Sequence, residues 1–209
     1  GGTVENIGLF AFEERTFGPL TLQAGLRHDW QETVAKGSKT NAPTTFGDRD
    51  ENDYSVTTGS LGGVLSFTDN LVLATNLARG FRAPTLFELH ADGVHGGVAA
   101  VQLGNADLDE ETSLNTDLAL RWQSERLSAS ATVYRNAIDD FIFLEDTGTT
   151  QGNLPVFVHR QDDAELYGFE LSAKGRVTEQ LELSATYSAV NSENDETGED
   201  LPLQPADEL

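Results

Sequence analysis

Residues 88–97 contain the side chains best suited to metal binding. The segment reads Glu-Leu-His-Ala-Asp-Gly-Val-His-Gly-Gly, which places His90, Asp92 and His95 within six residues. Imidazole and carboxylate groups are ligands that zinc and other borderline divalent metals accept. The glycines would let this stretch turn back on itself, as convergence of the three side chains requires. Solvated or packed histidines are the alternative interpretation, and the sequence leaves both open.

No familiar catalytic motif accompanies these residues. The sequence has no nucleophile elbow, no phosphate-binding loop and no helical His-Glu-x-x-His, and its acidic residues are scattered through loops without paired spacing. It also has no cysteine, which removes disulfides, thiolate metal sites and cysteine nucleophiles. We therefore expect a protein that is not an enzyme and that has no cofactor of its own.

The charge balance excludes one class of partner. Among 209 residues, 35 are Asp or Glu and 13 are Lys or Arg, giving a formal net charge of −22. Nucleic acid is therefore not an expected partner, because a surface that binds phosphates needs an excess of cations. The acidic loops either meet a cationic or metal partner or keep the surface hydrated. The sequence has no window of eighteen apolar residues, so it predicts no transmembrane helix.

Alternation with a period of two residues is the dominant pattern, and helical periodicity is nowhere sustained. The segments are about ten residues long, as a tilted membrane strand requires. Clean alternation covers 20–29, 114–122, 127–133, 167–174 and 181–187, and less clean alternation covers 7–13, 54–67 and 71–79. We predict eight consecutive antiparallel strands in one meander over residues 4–192.

The same alternation predicts an apolar and a polar face. The apolar set is Leu22, Leu26, Leu118, Leu120, Phe169, Leu171 and Leu183; the polar set is Gln23, Arg27, Asn115, Arg121, Glu170 and Lys174. In a membrane barrel the first set would face lipid and the second the lumen. Aromatic residues near strand ends, among them Trp30 and Trp122, would form the girdles at the two membrane surfaces.

The predicted connections alternate in length. Short turns are expected at 16–19, 68–70, 124–126 and 178–180, and long loops at 31–53, 80–112, 145–163 and from 191 onward. Outer-membrane barrels have short periplasmic turns and longer extracellular loops, whereas a soluble β-sandwich does not need every second connection to be long. The pattern therefore predicts an all-β fold, an antiparallel up-and-down transmembrane β-barrel segment.

Four short motifs follow one another along the chain. They are Gly-Phe-Arg-Ala-Pro-Thr at 80–85 with Glu-Leu at 88–89, Gly-Asn-Ala-Asp-Leu-Asp-Glu-Glu-Thr at 104–112, Tyr-Arg-Asn-Ala-Ile-Asp-Asp-Phe-Ile at 134–142, and Tyr-Gly-Phe-Glu at 167–170. Similar motifs occur in the same order in TonB-dependent outer-membrane receptors, and the sequence resembles that family over residues 9–205. The family residues carried over are Arg82, Pro84, Glu88, Gly104, Asn105, Asp107, Leu108, Glu111, Gly168 and Glu170. Departures are Ala106, where proline is usual, and Asp109-Glu110, where Lys-Pro is usual. Residues 201–205 are similar to a proline-bearing loop that precedes the last barrel strands.

The resemblance implies a barrel of 22 strands closed by a separate N-terminal plug. Residues 1–209 would then be part of the barrel domain, with the plug and the C-terminal strands absent. The whole receptor would lie in the bacterial outer membrane, contact its lipid, bind a scarce metal or metal chelate, and import it when the TonB energy-transducing complex acts on the plug. Ferric siderophores are the broader expectation. Residues 88–97 also resemble a segment of zinc-importing members, which implies zinc.

Two alternatives come from other functional classes. An eight-stranded barrel acting as an anchor or adhesin would account for the strand count, and a soluble β-sandwich binding module would account for the alternation. The four motifs favour the receptor over both. Arg82 and Glu88 could pair inside the lumen or form a solvated pair at a loop base, and the sequence does not separate these possibilities.

Overall fold

The computed structural model describes residues 1–36, 49–195, 197–198 and 200–201. Eight long strands account for most of this part: β1 (Gly2–Phe17), β2 (Leu20–Lys36), β3 (Arg49–Ser66), β4 (Leu71–Arg82), β7 (Glu111–Gln123), β8 (Leu127–Gln151), β9 (Leu154–Arg176) and β10 (Glu182–Asn194). Between β4 and β7 lie a short helix, α1 (Leu86–His90), and two short strands, β5 (Asp92–His95) and β6 (Ala100–Leu103). No helix in the described ranges has the length and apolar composition needed to cross a membrane.

The long strands form one antiparallel meander. They follow one another in the order β1-β2-β3-β4-β7-β8-β9, and β10 pairs with β9. The predicted eight-stranded meander is confirmed. The segment between β4 and β7 adds a feature that was not predicted, because β5 and β6 form a small hairpin whose second strand pairs in parallel with residues 156–158 of β9.

The two predicted faces are confirmed by the strand register. Thr75, Leu118, Val133 and Phe169 lie in one cross-strand row, and since side chains alternate along each strand, this row defines the apolar face. Leu118 is 44% exposed and Val133 54% exposed, so the apolar face is not covered by protein in the described structure. All residues predicted for the apolar and polar sets fall on the expected sides of this register.

Helix α1 packs against the polar face. A side chain at Gly2 would collide with Leu86, and Gly2 pairs with Ala35, which shares its face of β2 with Gln23. Ala35 is only 3% exposed. The polar face is therefore the one that the segment between β4 and β7 covers.

The strands extend further than the sequence indicated. Loops were expected over 31–53 and 145–163, but β2 continues to Lys36, β3 begins at Arg49, and β8 and β9 run to a two-residue turn at Gly152 and Asn153. These loop predictions are wrong for the described residues, while residues 37–48 and the expected proline-bearing loop at 202–205 lie outside them. The error has a physical cause: strand ladders are held by backbone hydrogen bonds, so a ladder continues where both faces are polar and the alternation disappears.

An irregularity marks the start of the β8–β9 extension. The register shifts between Ile138 and Phe141, which is the signature of a β-bulge. Asp140 has a positive φ of 58°, and its backbone N–H donates to the Asp163 carboxylate at 3.1 Å. Residues 127–138 of β8 keep a continuous register with β9. Beyond the bulge, Ile142 of β8 forms a small apolar cluster with Leu89 and Leu108.

Candidate functional site

Arg82, at the end of β4, joins three separate parts of the chain. Its Nε and Nη2 atoms each donate to the Glu111 carboxylate at 2.6 Å, and its Nη1 atom donates to the two Glu88 oxygens at 3.0 and 2.9 Å. Glu111 also accepts the backbone N–H of Ile142 at 2.7 Å. We call the set Arg82, Glu88 and Glu111 the arginine clasp, because it ties β4 to α1, β7 and β8.

The clasp depends on how α1 begins. Thr85 is the N-cap of the helix, and its hydroxyl accepts the Glu88 backbone N–H at 3.2 Å while the Glu88 carboxylate accepts the Thr85 backbone N–H at 2.7 Å. This is a capping box, which fixes the first turn and the rotamer of the glutamate. Pro84, fully buried, precedes it and cannot donate to a strand ladder, so the ladder of β4, which ends at Arg82, does not continue towards the helix.

The clasp carboxylates are largely shielded from solvent. The Glu88 side chain is 16% exposed, the Glu111 side chain 11%, and the Arg82 side chain 41%. Burial alone would raise the pKa of the Glu88 carboxyl, but the hydrogen bonds from Arg82 and Thr85 outweigh it and hold that pKa below its usual range. Arg82 and Glu88 therefore form a partly buried pair on the polar face of the sheet rather than a solvated pair, and its position inside a barrel lumen stays a prediction.

Residues 104–108 hold the other end of α1. The Gly104 N–H donates to the Ala91 carbonyl at 2.6 Å and the Asn105 N–H donates to the Glu88 carbonyl at 2.9 Å. A Cβ at Gly104 would lie only 2.5 Å from the backbone nitrogen of His90, so the close approach of the two backbones needs glycine. The Asn105 side chain accepts the N–H of Asp107 at 3.0 Å.

The remaining family-motif residues are structural in different ways. Leu108 is 4% exposed and belongs to the small apolar cluster. Gly168 leaves room for the Tyr134 ring and the Ala189 carbonyl, which a side chain there would overlap. Glu170 lies on the polar face opposite Thr132 and Ser188.

The structure separates the three residues predicted to bind metal. His90 ends α1, while Asp92 and His95 begin and end β5. Residues three apart on a strand point to opposite faces, so Asp92 and His95 diverge. Among the residues that the structure describes, the group of three metal-ligating side chains whose ligand atoms lie within 4.8 Å of one another is instead Glu32, Glu51 and Asp53.

His90 and His95 have different surroundings. The His90 side chain is 6% exposed, and its Nε2 atom lies 3.5 Å from Oδ2 of Asp50. Burial lowers the pKa of His90, and the charge of Asp50 opposes this only in part. The His95 ring instead stands edge-on to Phe87, with ring centroids 5.9 Å apart.

Sequence reasoning missed His159. Its ring is 5% exposed and contacts Phe87 edge-on at a centroid distance of 5.7 Å, so Phe87 lies between His95 and His159. The His159 Nδ1 atom is 3.0 Å from the Leu103 carbonyl, a geometry in which the ring N–H donates. No local signal marks this residue, because its partners come from α1 and β6, more than fifty residues away in sequence.

The comparisons with known proteins agree with this architecture. The family model described as TonB dependent receptor-like, beta-barrel, matches residues 1–207. The iron-regulated outer membrane virulence protein of Vibrio cholerae is 32% identical over 161 residues, which are 71% of this chain and 25% of that protein. The vitamin B12 transporter BtuB of Photobacterium profundum is 29% identical over 150 residues, covering 69% of this chain and 23% of that protein.

Solved structures show the same fold. The copper transporter OprC superposes with a TM-score of 0.80 at 22% identity, over 95% of this chain and 30% of that one. The Serratia marcescens hemophore receptor HasR superposes with a TM-score of 0.75 at 18% identity, over 92% and 35%. The chain spans about a quarter of the length of the curated relatives it matches. Its meander corresponds to a segment of the β-barrel in the solved structures. It belongs to the TonB-dependent receptor β-barrel family.

Proposed function

We propose that the receptor containing this chain binds a scarce metal or metal chelate at the cell surface and imports it with energy from TonB. The observation that carries the proposal is the family match over residues 1–207. The relatives' names support the class of cargo, because they include an iron-regulated protein, a ferric enterobactin receptor and a copper transporter. Each name describes that protein alone, and the cargo of this receptor is inferred from what they share.

Within this proposal the chain supplies barrel wall and extracellular structure. The plug and the remaining strands belong to other parts of the whole receptor, and TonB acts through the plug. The apolar face contacts membrane lipid, since large apolar side chains such as Leu26 and Leu61 are 61% and 62% exposed on it. The arginine clasp holds residues 83–110 over the polar face, where this segment can contribute to cargo binding or to gating.

Zinc is the narrower version of the proposal. It rests on His90, Asp92 and His95, and the structure makes one requirement of it explicit: Asp92 and His95 lie on opposite faces of β5, so a common metal would require β5 to rearrange. Without such a change, His90 and His95 would each need ligands from elsewhere in the receptor. A ferric chelate makes no such demand and remains the broader expectation.

The cargo can be identified by transport. A strain lacking the receptor gene is complemented with the intact gene, and uptake of labelled iron as ferric siderophores, labelled zinc and labelled copper is measured with and without a functional TonB. We expect TonB-dependent uptake of one of these cargoes. Arg82→Gln should reduce it, whereas Arg160→Gln, which removes an exposed ion pair with Glu145, should not. Absence of TonB-dependent uptake for every cargo would refute the proposal.

Zinc binding is tested in a separate experiment. His90→Ala and His95→Ala should weaken zinc binding to the intact receptor if these residues capture the metal. His28→Ala is the matched control, because His28 lies on the apolar face and contacts Thr57. Unchanged zinc affinity in both variants would exclude these histidines as the capture site and leave import of another metal chelate.

A further inference from the structure

A groove crosses the apolar face where β1, β2, β3 and β4 meet. It encloses about 500 Å³ and is lined by Leu26, Leu61 and Leu77, with Gly59 among its lining residues. Because Gly59 has no side chain, the wall is recessed between these leucines. The groove lies within the sheet, so strands added at either edge would not cover its centre.

One end of this groove carries a positive charge. Arg79 lines the groove and pairs in register with Gly59 and Leu114, which places its side chain on the apolar face with Leu77. Among the described residues, the Arg79 side chain has no hydrogen-bond partner and no ion pair. By contrast Arg15, also on this face, is paired with Glu13 at 2.5 Å. An unpaired cation on a lipid-facing wall is stabilised when water or an anion from outside the protein reaches it.

The depth of Arg79 suits a lipid headgroup. It lies eight residues beyond Leu71, the first residue of β4 after a short turn, and at about 3.3 Å per residue with a tilt of about 40° this is roughly 20 Å across the membrane. The apolar band of such barrels is about 25 Å tall. Arg79 therefore lies near the extracellular edge of the band. Trp30, 45% exposed on the same face, has the position expected of a girdle residue there.

We propose that this groove and Arg79 form a binding site for a phosphate-bearing lipid of the outer leaflet. One acyl chain lies along the leucine-lined groove, and the phosphate pairs with the Arg79 guanidinium, which can extend along the wall to headgroup level. The net charge of the chain is −22, which repels anions in general, so an anionic headgroup is held here by the local charge of Arg79, while Glu13 in the same groove is paired with Arg15. The proposal rests on the lipid contact proposed above and is independent of the cargo.

The test uses the intact receptor in nanodiscs of neutral phosphatidylcholine. Phosphatidic acid and diacylglycerol with identical acyl chains serve as probes, and native mass spectrometry measures how much of each is retained. Wild type should retain phosphatidic acid over diacylglycerol. Arg79→Gln should weaken retention of phosphatidic acid about fivefold, Arg79→Lys should restore most of it, and Arg15→Gln should leave it unchanged. Ala24→Leu, which fills part of the groove, should weaken both lipids.

Three results would overturn the proposal. Equal retention of the two lipids by wild type would remove the role of the phosphate, and this comparison needs no variant to fold. Competition by millimolar inorganic phosphate with no dependence on acyl chains would indicate a site for the free ion. A change in oligomeric state on Arg79→Gln, with lipid retention unchanged, would show that a second receptor covers this face. Failure of the wild type to enter nanodiscs would instead contradict the lipid contact itself.

Discussion

Arg82 shows how one side chain can set the position of a long segment. It contacts carboxylates from α1 and β7, and both are largely withdrawn from solvent. Two buried carboxylates close to each other repel unless a cation with several donors lies between them. A planar guanidinium can donate to both at once, whereas an ammonium group cannot match both geometries.

Replacement of Arg82 by lysine should therefore destabilise the receptor although the charge is kept. We expect a loss of about 1–3 kcal/mol in the free energy of unfolding, because at least one carboxylate loses its hydrogen bonds. Urea unfolding in lipid vesicles would measure it, together with protease sensitivity of residues 83–110. Arg160→Lys is the control: its pair with Glu145 is 58% and 48% exposed, so its loss should cost under about 1 kcal/mol. Equal effects at the two sites would contradict the clasp.

His90 gives a prediction about pH. Burial lowers its pKa from the ordinary 6.5, and Asp50 partly opposes this shift. A histidine with a lowered pKa is neutral in the folded protein, so its contribution to stability is complete above pH 6.5 and decreases as the pH falls below that value. Hydrogen–deuterium exchange at the imidazole C2 position should report a pKa below 6.5. Asp50→Asn should lower it further, and a pKa above 6.5 in the wild type would exclude this arrangement.

At the scale of elements, the β8–β9 hairpin depends on its turn. Gly152 and Asn153 both have positive φ, 60° and 65°, as a type I′ turn requires at its two central residues. Asparagine tolerates this conformation better than most residues, and glycine has no Cβ to oppose it. The Gly-Asn pair is a hairpin signal that the sequence contained, although the polar residues around it favoured a loop.

Gly152→Ala should therefore loosen the upper part of the hairpin. The Cβ adds about 1–2 kcal/mol of strain in the left-handed region. We therefore expect faster amide exchange in residues 141–164, with little change in the rest of β8 and β9. Gly96→Ala is the matched control, since Gly96 has no positive φ and open space around it. The same exchange rates in both variants would show that the turn conformation does not limit hairpin stability.

The elements differ in how far the sequence could define them. Strands such as Leu20–Lys36 have one apolar and one polar face near the membrane, and that asymmetry fixes their position and facing. Helix α1 has only five residues, too few for a helical period, and the sequence marked it only as part of a family motif. The β5–β6 hairpin pairs with β9 across more than fifty residues, and the separation of Asp92 from His95 follows from that pairing. Local patterns carry no information about such long-range contacts.

For the whole molecule, the proposed lipid contact means that stability depends on which face of the sheet meets lipid and which face meets water. The apolar face has its leucines 43–62% exposed at positions such as Leu26, Leu61 and Leu120, and in water this surface would be unfavourable. In lipid the same surface costs nothing, while the backbone polar groups are satisfied by the strand ladder. The edge strands of the long-strand meander, β1 and β10, likewise present unpaired backbone groups that a membrane barrel has to satisfy.

This division predicts unequal costs for one substitution at two nearby positions of β7. Leu118 lies on the apolar face and Asn115 on the polar face. Arginine at Leu118 should cost about 2–4 kcal/mol in the intact receptor, because the charge enters the middle of the apolar band, whereas arginine at Asn115 should cost little. Urea-dependent folding into vesicles of defined lipid would compare the two variants with wild type. A similar cost at both positions would contradict the assignment of the apolar face to lipid. A larger cost at Asn115 would indicate the reverse facing of β7 and, through its continuous register with β4 and β8, of the whole meander.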